Sequence, residues 1–126
     1  MKSLKNVDYR LKQKLLYIDK TPPEILKNYG NVLFEQGRIS DALDFYQKAG
    51  DHDGVEKIRQ VAFESGDVML FQQAAKALQV EPKVKDWKDI AQKALQQKKY
   101  SFALLALEKA GDEEGLNALK KQLQKG

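Results

Sequence analysis

The chain has 126 residues, long enough to bury a core of its own, and its 42% hydrophobic and 32% charged residues are typical of one globular domain spanning 1–126. It contains no cysteine, which excludes a disulfide framework and any thiolate metal site. No apolar run approaches the roughly 18 residues of a transmembrane helix, and the N-terminus lacks a signal-peptide core. We therefore expect no membrane insertion and a cytoplasmic location.

The net charge of +4 is concentrated at the N-terminus. Residues 1–20 contain six basic and two acidic side chains, which account for the whole excess. The rest of the chain carries 16 side chains of each sign and balances to zero. A basic groove running through the whole domain, as in many nucleic-acid-binding proteins, is therefore not expected.

The first predicted element is a helix over residues 3–18, with Ser3 as its N-cap. Its apolar residues step by three or four along one face: Leu4, Val7, Leu11, Leu15 and Ile18. We expect this segment, residues 1–20, to pack as a cap on the helical hairpin that follows it in the chain. A dimer seam or a partner-docking helix is the alternative. A second helix is predicted to start at Thr21-Pro22, with Thr21 as N-cap and Pro22 as first helical residue.

Residues 23–49 are predicted to form two amphipathic helices joined by a turn at Gly37-Arg38. Small residues, Gly30 in the first helix and Ala42 in the second, are expected to let the two helices approach closely. Such a hairpin leaves an apolar flank that it cannot bury alone, so it needs neighbours of its own kind.

The same hairpin resembles a tetratricopeptide repeat (TPR). The matching positions are Leu26, Asn28-Tyr29-Gly30-Asn31, Gly37, Ala42, Tyr46 and Ala49. The resemblance implies an all-α, TPR-like α-α superhelix, that is, a solenoid of stacked antiparallel helix hairpins. It also implies a concave groove, lined by the first helix of each hairpin, in which extended or helical peptides lie.

Further along the chain, Gly50-Asp51 and Gly66-Asp67 each predict a left-handed helix end followed by an N-cap. Val55, Ile58, Val61 and Ala62 are expected on the inner face of the helix between them. Pro82 is predicted to open another TPR-like hairpin, which carries Trp87 and turns at Lys98-Lys99 without a glycine. Gly111-Asp112 precedes the last helix.

The two TPR-like hairpins share a fixed register. Five pairs of similar residues are each 61 positions apart: Ala42 and Ala103, Ala49 and Ala110, Gly50 and Gly111, Gly54 and Gly115, and Ile58 and Leu119. The repeated unit is therefore predicted to be a helix quartet, 22–81, followed by a second, truncated unit, 82–126. With the N-terminal helix, this gives about eight helices and essentially no strand.

Residues with catalytic or metal-binding chemistry are scarce. His52 is the only histidine, and no second nitrogen or thiolate ligand accompanies it in the sequence. The acidic residues near the glycine turns are interpreted as helix caps, because they lack the ligand spacing of a calcium loop. No phosphate-binding loop or nucleophile motif is present. We therefore expect no catalytic residues, no metal site, no cofactor and no enzymatic activity.

The resemblance implies a protein-protein interaction module, an adaptor or scaffold that holds a peptide or helix of a partner in its groove. Carried over by position, the groove residues are Glu24, Lys27, Asn31 and Phe34 in the first hairpin and Lys85, Lys88, Gln92 and Leu95 in the other. Lys27 and Asn31 are similar to half of the clamp with which some TPR domains hold a peptide carboxylate. Two alternatives stay open: binding of RNA or an acidic surface through the basic N-terminal helix, and self-assembly into a homo-oligomer.

Overall fold

The computed structural model describes residues 6–125, and this part of the chain consists of helices joined by short connections, with no strand. The predicted all-α class is thereby confirmed for these residues. The helices are, in chain order, α1 (Tyr9–Gln13) with a π-helical continuation (Lys14–Ile18), α2 (Pro23–Glu35), α3 (Ile39–Ala49), α4 (His52–Ser65), α5 (Val68–Ala77), α6 (Val84–Gln96), α7 (Tyr100–Ala110) and α8 (Glu113–Lys125). None of them is both long and apolar enough to cross a membrane.

The chain divides into two compact units, Met1–Lys57 and Ile58–Gly126. The described part of the first unit contains α1 to α3 and the start of α4. The second unit contains the rest of α4 and α5 to α8. Within each unit one hairpin dominates the packing, α2 with α3 in the first and α6 with α7 in the second. The superhelical stacking and the predicted boundaries at residues 81 and 82 stay predictions.

The 61-residue register extends to the helix bounds. Helices α2 and α6 begin 61 positions apart and end 61 positions apart, as do α3 and α7. The glycines that follow α3 and α7 also adopt the same left-handed conformation, with φ of +69° at Gly50 and +70° at Gly111. Because the same glycine cap and similar apolar spacings recur in both copies, the same local rules produce the same hairpin twice.

The first unit is organised around the side chain of Tyr46, which is fully buried. A Cβ atom added to Gly30 would lie 2.8 Å from the Tyr46 ring, and one added to Gly54 would lie 2.5 Å from it. Gly30 was expected to admit the facing backbone near Ala42, but what it admits is the aromatic ring. Two helical glycines are needed because no side chain fits between the helix backbones and this ring.

The second unit has an aromatic core. Phe71 lies 6.0 Å from Phe63 and 5.7 Å from Trp87, measured between ring centroids, and the contact with Trp87 is edge-to-face. The turn before α5 lies against α6, since a Cβ atom on Gly66 would be 2.6 Å from Cα of Ala94. With φ at +70°, Gly66 is required both by its conformation and by this contact.

The N-terminal helix begins later than the sequence suggested. The predicted cap Ser3 lies outside the described residues, and α1 starts at Tyr9, where the side chain of Asp8 accepts a hydrogen bond from the backbone N–H of Leu11 at 2.8 Å. Asp8 provides the acceptor that the first turn needs, so it defines the helix start.

The apolar residues predicted on the inner face of the N-terminal helix do not all lie on that face. A π-helical hydrogen bond from the Asp19 N–H to the Lys14 carbonyl, 2.8 Å long, widens the last turn. Leu15 and Leu16 are consequently buried, whereas Ile18, expected on the inner face, is 74% exposed. A pattern based on 3.6 residues per turn cannot anticipate this rotation.

Two helix starts and one core residue also differ from expectation. Pro22 is the N-cap of α2, and Pro23 is its first residue, so Thr21 does not cap it. Helix α6 begins at Val84 rather than at Pro82, because the Asp86 side chain accepts a hydrogen bond from the Lys83 N–H at 2.8 Å. Val61 was expected in the core and is exposed, whereas its neighbour Ala62 is buried.

Candidate partner-binding faces

The predicted groove residues of the first hairpin all lie on α2, and we call them the α2 face: Glu24, Lys27, Asn31 and Phe34. The first three are exposed and Phe34 is half-buried. Their spacing of three or four residues brings them to one side of the helix. The α2 face therefore presents a carboxylate, an ammonium group and an amide to solvent beside part of an aromatic ring.

Asn31 is oriented by the core of the unit. The Tyr46 hydroxyl donates a hydrogen bond to Oδ1 of Asn31 at 2.6 Å. Because the amide oxygen accepts this bond, the amide nitrogen is the end of the side chain left to donate outward. The buried ring of Tyr46 thus fixes the orientation of an exposed polar group.

A further cation joins the α2 face from α4. The Nζ atom of Lys57 lies 4.1 Å from the centroid of the Phe34 ring and 5.5 Å from that of Tyr46. These distances are within the range of cation–π attraction, which holds the ammonium group over the two rings. Lys57 was not among the sequence candidates, because nothing in the sequence indicates which residue of α4 approaches Phe34.

The second set of predicted groove residues lies on α6, and we call it the α6 face: Lys85, Lys88, Gln92 and Leu95. Lys85 forms an ion pair with Asp89 at 2.6 Å, and this hydrogen bond raises the pKa of Lys85 above its ordinary value. Lys88 and Gln92 are exposed, and Leu95 is half-buried. The Lys85 charge is therefore already balanced within its own helix.

Comparison with protein-family models, curated proteins and solved structures finds no match. The resemblance to tetratricopeptide repeats accordingly stays a prediction that rests on the residues of the chain itself.

The N-terminal segment is attached to α3. The ammonium group of Lys12 lies 2.9 Å from Asp41 and 2.5 Å from Asp44, and Arg38 also pairs with Asp41 at 2.8 Å. The buried side chains of Val7 and Leu16 show that the segment also packs apolar surface. It occupies the α3 side of the hairpin, and most of the α2 face stays exposed.

Burial alone would lower the pKa of Lys12, but its hydrogen bonds to Asp44 and Asp41 outweigh burial and raise it. For Asp41, burial would raise the pKa, and the hydrogen bonds from Lys12 and Arg38 outweigh it and lower the pKa. Both shifts favour the charged forms, so this cluster is a stabilising ion-pair network.

Three aspartates at the helix starts serve as caps. Asp51 accepts from the Gly54 N–H, Asp67 from the Leu70 N–H, and Asp112 from the Gly115 N–H. His52 is exposed at the first position of α4. Among residues 6–125, no three side chains of the metal-binding types converge.

Proposed function

We propose that the chain is a non-enzymatic interaction module, an adaptor or scaffold, that binds a peptide or helix of a partner protein through the α2 face. The groups on this face are suited to hydrogen bonding and charge recognition rather than to bond making. A partner segment with a carboxylate beside an apolar side chain would complement them best.

The observation that carries this proposal is the 2.6 Å hydrogen bond from Tyr46 to Asn31. An exposed asparagine side chain normally rotates freely and must lose that freedom on binding. Here the amide is oriented in advance by a buried phenol, so its nitrogen donates outward without that loss. An outward, oriented donor on a helix face is the arrangement that recognises an acceptor on a ligand.

The charges around Asn31 support a carboxylate as that acceptor. Lys27 lies one helical turn before Asn31, and Lys57 is held above Phe34. An ammonium group and an amide nitrogen are both donors, and a carboxylate accepts only. Glu24 at the start of the same face would repel a second negative charge, so a single carboxylate rather than an acidic run is expected.

The test is an affinity selection from a random peptide library with free C-termini. Wild-type protein should enrich peptides that contain a carboxylate next to an apolar residue. The double change Lys27→Ala, Asn31→Ala should reduce binding of the enriched peptides by tenfold or more, about 1.4 kcal/mol, because two charge-assisted bonds are lost. Circular dichroism should show unchanged helical content.

Two further variants make the selection specific. Tyr46→Phe leaves the face composition intact and frees the Asn31 amide, so peptide affinity should fall by a smaller factor. The matched control Lys20→Ala, Asn28→Ala removes the same residue types from exposed positions outside the α2 face, and affinity should be unchanged. If the enriched peptides bind the Lys27→Ala, Asn31→Ala variant as well as the wild type, the α2 face is not the binding site.

One observation favours a second candidate, binding of an acidic surface by the N-terminal helix. Arg10 and Lys14 are exposed there, and so are Tyr17 and Ile18, which are 65% and 74% exposed. Cations beside exposed apolar groups suit a negatively charged partner.

Self-association through the same helix would appear as concentration-dependent sedimentation, and the variant Ile18→Ser should abolish it.

A further inference from the structure

A cleft of about 510 Å³ lies in the second unit, at the connection between α5 and α6. The connection turns away at Gln79, whose φ is +59°, and the Val80 N–H closes the end of α5 by a hydrogen bond to the Ala75 carbonyl. At the other side, the Asp86 cap fixes the start of α6. The cleft is therefore bounded by backbone that local hydrogen bonds hold in place.

Four of the residues that line the cleft are apolar: Ala75, Val80, Pro82 and Trp87. Trp87 is only 7% exposed and packs edge-to-face on Phe71, so it forms a rigid surface, whereas Val80 is 49% exposed. An apolar group that entered the cleft would cover Val80 and remove it from water, which is favourable.

The charged residues that line the cleft are mostly positive. Lys76, in the last turn of α5, and Lys109, in the last turn of α7, contribute two cations, against one carboxylate from Glu81. Neither lysine has an ion-pair partner among residues 6–125. Gln72 adds a side-chain amide. Two cations and an amide beside a single acid favour a ligand with one negative charge.

We propose that this cleft binds a monocarboxylate that carries a short apolar chain. The chain packs on Trp87 and Val80, and the carboxylate accepts hydrogen bonds from Lys76 and Lys109. The volume is within the range of about 300–1,000 Å³ that small-molecule sites occupy. The same chemistry comes from a small free acid or from the C-terminal apolar residue of a peptide, and the experiment distinguishes the two.

Trp87 makes the binding directly measurable, because it is the only tryptophan in the chain. We would titrate the protein with N-acetyl-leucine and follow the tryptophan emission. N-acetyl-leucinamide has the same apolar side chain without the charge and is the matched probe. N-acetyl-leucine should give a saturable change, and the amide should bind at least about fivefold more weakly.

Two variants test whether Lys76 and Lys109 bind the carboxylate. Lys76→Gln and Lys109→Gln should each weaken binding of N-acetyl-leucine by about fivefold or more. The control Lys120→Gln removes an equal charge from an exposed position on α8 and should change nothing. The proposal is overturned if the amide binds as tightly as the acid, if the emission shows no saturable change, or if all three variants behave alike.

A third probe identifies the source of the ligand. Hexanoate provides an apolar carboxylate without any peptide group. Binding of hexanoate as tight as that of N-acetyl-leucine supports the proposal with a free acid as ligand. Tighter binding of N-acetyl-leucine supports it with a peptide C-terminus as ligand.

Discussion

The ring of Tyr46 is fully buried and packs against two helical glycines, Gly30 and Gly54. Its buried hydroxyl donates the hydrogen bond that orients the exposed side chain of Asn31. One residue therefore connects the packing of the hairpin to the donor on the α2 face. A change that displaces the ring should alter both stability and binding.

The first prediction concerns the contact between Gly30 and this ring. Gly30→Ala should lower the free energy of unfolding by about 1–3 kcal/mol, because the new methyl group overlaps the ring. Tyr46→Leu removes the ring and also destabilises the protein. The double variant should lose less unfolding free energy than the sum of the losses in the two single variants, as measured by urea denaturation. Additive losses would show that the two side chains do not interact.

The second prediction concerns the turn between α6 and α7. Lys98 stands 61 positions after Gly37, and both adopt a left-handed conformation, with φ of +60° and +79°. That conformation costs a side chain about 1–2 kcal/mol, while glycine adds flexibility to the unfolded chain. Lys98→Gly should therefore stabilise the protein by about 0.5–1 kcal/mol. The reciprocal Gly37→Lys should destabilise it, and thermal unfolding of both variants measures the difference.

At the scale of the element, the N-terminal helix is held to α3 by apolar burial and by the cluster of Lys12, Asp41 and Asp44. These side chains are partly exposed, so Lys12→Gln should cost about 1 kcal/mol of unfolding free energy. Lys14→Gln removes a similar charge from an exposed position two residues along the chain and should cost little. If the two variants unfold at the same urea concentration, the ion pairs add nothing to the attachment.

The third prediction is the pH dependence of this attachment. The pKa of Asp41 is lowered from 3.8, so its contribution is fully present above that pH and is lost as the pH falls through the lowered value. The pKa of Lys12 is raised from 10.5, so its contribution is present below that pH and is lost as the pH rises through the raised value. The protection factors of the Leu15 and Leu16 amides, which correct their hydrogen-exchange rates for the intrinsic effect of pH, should fall at both extremes.

The variant Lys12→Gln tests the assignment of that profile. In this variant the loss of amide protection at alkaline pH should disappear, because Lys12 is absent. The loss at acid pH should become smaller, because Asp41 keeps only Arg38 as its partner. If the pH dependence is the same in this variant as in the wild type, groups other than Lys12 and Asp41 cause it.

At the scale of the whole molecule, the chain repeats one hairpin at an interval of 61 residues and confines its excess charge to the N-terminus. The two hairpins share their helix bounds and the left-handed glycines after α3 and α7, but their faces differ. The α2 face gains Lys57, whereas on the α6 face the Lys85 charge is paired with Asp89. The repeat thus preserves the scaffold while the exposed residues diverge.

The fourth prediction concerns nucleic acid. If RNA binds through the N-terminal segment alone, at most five cations take part, since Lys12 is paired: Lys2, Lys5, Arg10, Lys14 and Lys20. With about 0.7 counterions released per contact, the slope of log K against log salt should be no steeper than about −3.5. Fluorescence polarisation of a labelled single-stranded RNA across a salt series measures it. A steeper slope would implicate basic residues of the hairpins.

Local signals made most of the fold predictable. The glycine stops, the aspartate caps and the apolar spacing of residues 23–125 act within a few positions, and so the helices of both hairpins followed from sequence. The predictions were wrong where another local interaction replaced the expected one. Pro22 rather than Thr21 is the N-cap of α2, and the π-helical turn exposes Ile18.

The amino-acid sequence by itself determined the helices of the two hairpins and the turns between them, because backbone hydrogen bonding and helical periodicity are short-range. Only the tertiary structure decided which groups meet across helices. The bond from Tyr46 to Asn31, the position of Lys57 over Phe34 and the cleft at Trp87 are such encounters. They depend on how helices pack side by side, and no spacing along a single chain segment specifies that.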